Sequence, residues 1–230
     1  MFLVDIFFVV LHFYSLTLPL TESTGYLRLD KDGGYAEVFQ YAQYVLIAGF
    51  LTVLFFKQKK GVYLIWALLF LYFYVDDAFS IHESYGKAVV IYFSIQNFMG
   101  LRGQDFGELA VSAVTGLFFL LPIANYAVRG SSESRHFSIQ FLLLLGVFVF
   151  FGVGVDMLHS LLNFLPGSGI LTVIEDSGEM FSMSAMVWYA LTYTLSLFGV
   201  KKPEASIVQH QGESLIIEKR LIPKSEGQRA

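Results

Sequence analysis

The chain has 230 residues, of which 55% are hydrophobic and only 15% are charged, with a formal net charge of −4. Soluble domains carry about 25% charged residues, so this composition argues against a soluble globular protein. The sequence has no cysteine, which excludes disulfides, thiolate metal sites and thiol catalysis, and it has no basic, aromatic-interleaved patch typical of nucleic-acid binding.

Six apolar blocks follow one another along the chain, and each has about the length that a helix needs to cross a bilayer. They cover roughly residues 2–20, 36–56, 61–80, 106–128, 137–161 and 170–200. The pattern predicts an all-α fold, a polytopic integral membrane helical bundle of about six transmembrane helices within residues 1–200. The polar segment 201–230 is predicted to be a disordered cytoplasmic tail.

The first block lacks the basic start and the small-residue cleavage motif of a signal peptide, which favours a retained span. Asp5 and His12 lie seven residues apart in this block and share a helical face. A proton relay is one interpretation of that pair. The expected alternative is a packed His12 with Asp5 at a fraying helix start.

The basic residues predict the orientation of the bundle. If both termini lie inside, only Arg28, Lys31, Lys87 and Arg102 of the 15 Lys and Arg residues fall on the outer side. The positive-inside rule therefore predicts cytoplasmic N- and C-termini. We expect a bacterial inner membrane, with residues 86–103 forming an interfacial segment on the outer side.

Acidic residues collect at the predicted outer ends of five blocks. A helix rises about 1.5 Å per residue, so Glu37 lies about 30 Å from Lys57 and Asp156 about 30 Å from His136. The hydrocarbon core is also about 30 Å thick. The acidic residues are therefore predicted to share one layer at the outer boundary.

Within each block, the polar residues recur at helical spacing and so share one face. Asp156 and His159 are three apart, and Glu175 and Glu179 are four apart. Such faces are costly against lipid and are expected to turn into the bundle. Carboxylate oxygens and imidazole nitrogens are ligands for divalent Zn, Fe or Mn. The predicted metal ligands are Asp76, Asp77, His82, Asp156, His159, Glu175 and Glu179.

These residues suggest a membrane-embedded, metal-dependent enzyme that acts on a lipid or another small hydrophobic substrate. Glu83 and Glu108 are the predicted catalytic acid–base residues, and Glu37 is expected beside the ligands or the substrate. A bound ion would activate water or oxygen.

Three alternatives remain open from the sequence. The acidic residues could form a structural polar network, with some of them capping the starts of helices. The protein could instead be a transporter that uses the outer carboxylates to admit a cation or a proton. It could also be a non-catalytic membrane subunit within a homo- or hetero-oligomer, embedded among membrane lipids.

Overall fold

A computed structural model describes residues 1–162, 164–165 and 167–199. These residues form helices connected by short turns, and no β-strand occurs among them. The α-helices are Phe2–Ser15 (α1), Glu22–Gly25 (α2), Tyr35–Gln58 (α3), Gly61–Ala78 (α4), Ile81–Phe93 (α5), Gly103–Arg129 (α6), Ser132–Val149 (α7), Asp156–Leu162 (α8) and Gly169–Leu197 (α9), with a π-helix, Phe150–Val155, between α7 and α8.

The structure confirms a helical protein with helices suited to a membrane. Four helical stretches in the described residues are long and apolar enough to cross one: α3, α4, α6 and the continuous stretch Ser132–Leu162. The predicted count of about six is not confirmed. The first block forms an α1 of only 14 residues, and α9 is long but carries three acidic residues in its first half.

The core lies where α3, α4, α7 and α9 meet, and it is rich in aromatic side chains. Trp66 and Phe70 of α4 are fully buried with Phe137 and Phe141 of α7. The Trp66 and Phe141 rings meet edge to face, with their centroids 4.9 Å apart. Such pairs add to the free energy gained from burial, so they hold the middle of the bundle together.

The outer surface of α6 is apolar, as expected of a helix that faces lipid. Val114, Phe118 and Leu121 lie on one face of this helix and are largely exposed. Phe118 alone keeps 72% of its surface accessible. A continuous apolar face of this kind is rare on soluble monomers, which supports placing α6 in a membrane.

The chain divides into one compact unit, Met1–Thr194, and a second, Leu195–Ala230. The first unit contains every residue of the candidate site. In the second, the structure describes residues 195–199, which complete α9 and one turn. The predicted tail, 201–230, lies outside the described residues.

Candidate metal centre

The structure brings six of the seven predicted metal ligands into two groups. In each group the three residues offer ligand atoms that lie within 4.8 Å of one another. We call them the Asp76 group (Asp76, Asp77 and His82) and the Asp156 group (Asp156, His159 and Glu175). The seventh predicted ligand, Glu179, belongs to neither group.

The turn between α4 and α5 builds the Asp76 group. Ser80 adopts a left-handed conformation, with φ 46°, and reverses the chain so that α5 begins beside the end of α4. The carboxylate of Asp76 then accepts the backbone N–H of His82 at 2.8 Å and lies 3.1 Å from its ring Nδ1. Asp76 thus satisfies a free N–H at the start of α5.

Electrostatic interactions favour a protonated His82. The hydrogen bond to Asp76 raises the pKa of His82 to about 9, and the charges of Asp76, Asp77 and Glu108 act in the same direction, although partial burial opposes them. A metal ion would have to displace this proton, because only the neutral imidazole is a ligand. Because Nδ1 lies 3.1 Å from the Asp76 carboxylate, a metal ion bound by both residues would take the place of the proton between them.

The π-helix precedes the Asp156 group directly. Asp156 is the first residue of α8, and His159 follows on the same face. The Nδ1 atom of His159 lies 3.7 Å from Glu175 Oε2 on α9, and its Nε2 atom lies 3.3 Å from the Thr172 hydroxyl. π-Helices are often found at functional sites, and this one sets the direction in which Asp156 and His159 point.

A chain of hydrogen bonds leads from Asp77 to Glu179. Tyr44 of α3 donates to Asp77 at 2.8 Å, and Gln40 donates at 3.1 Å to the Tyr44 hydroxyl and at 3.0 Å to Glu179. Glu179 follows Glu175 by one turn of α9. The chain therefore connects the Asp76 group to the helix that carries Glu175, which puts both groups at the same end of the bundle.

The predicted site did not include Gln40, Tyr44 or Thr172. Gln40 and Tyr44 are buried, and they share a face of α3 with Glu37 because the three are spaced by three, four and seven residues. Their position on the same helical face as Glu37 could have been used to include them in the predicted site. Nothing in the sequence marks Thr172 as a neighbour of His159.

Two glycines let the π-helix approach α9 closely. A Cβ atom added to Gly152 would collide with the Glu179 carboxylate, and one added to Gly178 would collide with the Phe151 ring. Glu179 therefore lies against the backbone of the π-helix, and a larger residue at position 152 would have to displace its carboxylate.

The two predicted catalytic residues have different surroundings. Glu108 accepts a hydrogen bond from Gln104 at 2.6 Å, and its charge acts on both His82 and Asp156. It is thus near both groups. Glu83 forms an exposed ion pair with Lys87 at 3.3 Å and lies in neither group.

Two other acidic residues cap helices, as the structural alternative predicts. Glu37 accepts hydrogen bonds from the Gly33 backbone and from the Tyr41 hydroxyl at the start of α3. Asp105 accepts the backbone N–H of Arg102 at 2.8 Å and pairs with its guanidinium at 2.6 Å. These carboxylates are satisfied by their own helix ends.

Each group offers two carboxylates and one imidazole, a donor set that suits zinc, iron or manganese. Three protein ligands also leave coordination positions open for water or substrate. By donor chemistry, therefore, either group could hold a catalytic divalent ion.

A family model described as "Domain of unknown function (DUF8692)" matches residues 4–195, a range that includes both groups and the hydrogen-bonded chain that runs from Asp77 to Glu179. Comparison with the curated proteins and with the solved structures finds no match. Because the matched range covers most of the chain, the protein belongs to the DUF8692 family.

Proposed function

We propose that this protein is a membrane-embedded, metal-dependent enzyme that acts on a lipid or another small hydrophobic substrate. The observation that carries the proposal is the pair of carboxylate–histidine groups, each with three ligand atoms within 4.8 Å of one another. We assign the catalytic ion to the Asp156 group. Its three side chains are partly exposed, so water and substrate can reach them.

The surroundings of the Asp156 group support a hydrophobic substrate. Leu158 and Leu161 of α8 and Phe164 and Leu165 just after it are all exposed. An acyl chain or a similar apolar group would contact these side chains while its polar end reached His159. Binding sites for such ligands combine apolar walls with a few placed polar groups.

The reaction that best fits these residues is hydrolysis. A divalent ion lowers the pKa of its bound water and so supplies hydroxide at neutral pH. Glu108 interacts electrostatically with Asp156, and in this proposal it takes the proton of that water. The Asp76 group is a second site for a divalent ion, and the chain through Tyr44 and Gln40 fixes the orientation of Asp77 and Glu179.

The proposed membrane orientation is the one that the distribution of basic residues predicts. The site faces the outer side of a bacterial inner membrane, and the C-terminus lies in the cytoplasm. Substrate would then enter sideways from the outer leaflet, where the exposed apolar side chains beside His159 meet lipid.

Metal content provides the first test. The protein purified in detergent should contain zinc, iron or manganese in stoichiometric amounts by plasma mass spectrometry, and His159→Ala should lose at least one equivalent. His136→Ala is the matched control, because His136 is exposed near the start of α7, about 30 Å along the helical stretch from Asp156. Metal-free wild-type protein, or equal metal content in both variants, would reject the proposal.

Activity provides the second test. Vesicles of phosphatidylethanolamine and phosphatidylglycerol are the probe, and release of fatty acid or of a water-soluble head group is the readout. EDTA should stop turnover, and addition of the native metal should restore it. Turnover that resists EDTA, or that survives Asp156→Ala, would contradict the assignment.

Cation or proton transport is the second candidate function. The hydrogen-bonded chain from Asp77 to Glu179 favours it, because transporters use buried carboxylates to take up ions. The fully buried aromatic side chains of Trp66, Phe70 and Phe141 lie nearer the cytoplasmic ends of α4 and α7 and disfavour a continuous polar path. Metal uptake by proteoliposomes that is lost in Glu179→Gln would support transport over hydrolysis.

A further inference from the structure

Asp5 of α1 has no exposed surface although it is an acidic residue in an apolar helix. Neither of its carboxylate oxygens makes a regular hydrogen bond with the described part of the chain. Its neighbour is the hydroxyl of Ser184 on α9. Buried polar groups without partners are rare, and each calls for an explanation such as a water or an ion.

A second unpartnered oxygen belongs to another neighbour of the same hydroxyl. Gln43 of α3 has no exposed surface, and its Nε2 donates to Ser184 Oγ at 2.8 Å. Its carbonyl oxygen, Oε1, is buried and has no hydrogen-bond partner among the described residues. A carboxylate from α1 and an amide group from α3 therefore both neighbour the Ser184 hydroxyl of α9.

The available protons do not satisfy these oxygens. Ser184 accepts from Gln43, so it has a single hydroxyl proton left to donate. If that proton goes to Asp5, one carboxylate oxygen and Gln43 Oε1 still lack a donor. The amino group of Met1 acts on the charge of Asp5 but makes no hydrogen bond to either carboxylate oxygen, and a buried charge needs close donors or an opposite charge beside it.

We propose that Asp5, Gln43 and Ser184 form a binding site for a sodium ion that fixes α1 to α3 and α9. Oxygen ligands suit hard cations, and a single carboxylate balances one positive charge. Zinc or iron would instead favour imidazole nitrogen ligands, which this site does not supply. Buried sodium sites built from several helices are an established feature of membrane proteins.

The sodium site is separate from the metal groups. Gln43 lies three residues beyond Gln40 on α3, about 4.5 Å deeper, and Ser184 lies five residues beyond Glu179 on α9, about 7.5 Å deeper. The inference therefore does not depend on the proposed enzyme, and the two can fail separately.

Thermal unfolding tests the site. Wild-type protein in detergent with EDTA is melted in sodium chloride or in choline chloride at equal ionic strength. Sodium should raise Tm in a saturable manner, since a ligand that binds the folded state stabilises it by mass action. Asp5→Asn, which keeps the shape and removes the charge, should lose that sodium-dependent rise.

Two serines of α9 provide a matched control. Ser182 and Ser184 are both buried, but Ser182 donates to the backbone oxygen of Gly178 in its own helix, at 2.6 Å. Ser184→Ala should weaken sodium binding by about tenfold, as loss of a contact to a charged group does, while Ser182→Ala should bind sodium as the wild type does.

Direct binding of radioactive ²²Na⁺ decides the case even if Asp5→Asn fails to fold. Wild-type protein should bind about one ion per chain, as expected for a single site, and unlabelled sodium should displace it. If a proton or the nearby amino group of Met1 neutralises Asp5 instead, no saturable binding and no sodium-specific Tm shift will occur. The proposal is overturned if saturable sodium binding is absent, if the sodium-specific Tm shift is absent, or if the wild type and Ser184→Ala bind sodium equally.

Discussion

The carboxylate of Asp76 contacts His82 twice, at the backbone N–H (2.8 Å) and at ring Nδ1 (3.1 Å). One side chain thereby joins the end of α4 to the start of α5. Asp76 lies where the α4 dipole disfavours an anion, and the opposite dipole at the start of α5 offsets that cost. This contact explains how an acidic residue is accommodated at the end of a membrane helix.

Asp76→Ala should loosen the junction between α4 and α5. The substitution leaves the partly buried N–H of His82 without an acceptor, which costs up to about 1–3 kcal/mol of unfolding free energy. Denaturant unfolding in detergent measures the loss. Glu83→Ala is the control, because Glu83 makes only an exposed ion pair, and it should change stability by no more than about 0.5 kcal/mol. Equal effects of the two substitutions would contradict the assigned role.

The stability of metal-free protein should fall at alkaline pH. Asp76 raises the pKa of His82 from 6.5 to about 9, so the folded state binds the proton more tightly than the unfolded state does. The stabilisation of the folded state by this proton is complete below about pH 6.5 and is lost as the pH rises to about 9. Tm measured in EDTA across that range should fall more steeply for wild type than for His82→Asn. Parallel pH profiles for the two proteins would count against the pair.

Gly152→Ala should destabilise the protein, because the new methyl group would displace the Glu179 carboxylate and break its hydrogen bond from Gln40. Overpacking of this kind costs about 1–3 kcal/mol. Gly146→Ala is the matched control: Gly146 lies in α7, and a Cβ atom added there meets nothing within 4 Å. It should be neutral or stabilise by about 0.4–1 kcal/mol. Unfolding curves that rank the two variants in the reverse order would refute the close packing.

The orientation can be tested with single cysteines, since the natural chain contains none. Gln96→Cys lies in an exposed loop after α5, and Ser132→Cys lies at the exposed start of α7. In spheroplasts, the inner membrane is exposed but still sealed. A membrane-impermeant maleimide should label the Gln96→Cys variant at once and the Ser132→Cys variant only after permeabilisation. The reverse pattern would invert the predicted topology.

Periodicity and hydrophobic length predicted the helices well. The second apolar block, residues 36–56, corresponds to α3, Tyr35–Gln58, within about two residues at each end. The first block was less informative, because α1 ends at Ser15, before Pro19 interrupts the chain. A count of spans from hydrophobicity alone cannot separate such a short helix from a complete crossing.

The sequence predicted which residues make up the candidate site, but it did not predict how those residues are grouped in space. Depth along each helix predicted one outer layer that contains Asp76, His82, Asp156 and His159, and the structure places these residues in two groups of possible ligands. Depth gives no information on the direction around a helix, so one predicted layer became two groups with Glu179 outside both. Asp5 was expected at a frayed terminus, but it is fully buried, because contacts with other helices decide its position.

The π-helix at Phe150–Val155 suggests how the Asp156 group could have arisen. A π-helical turn holds one residue more than an α-helical turn, and each residue turns a helix by about 100°. A one-residue insertion into an ancestral α-helix would therefore have rotated Asp156 and His159 toward α9 in a single genetic event. Deleting Val153 would reverse that rotation, leaving an apolar segment of nearly unchanged length whose carboxylate and imidazole face elsewhere.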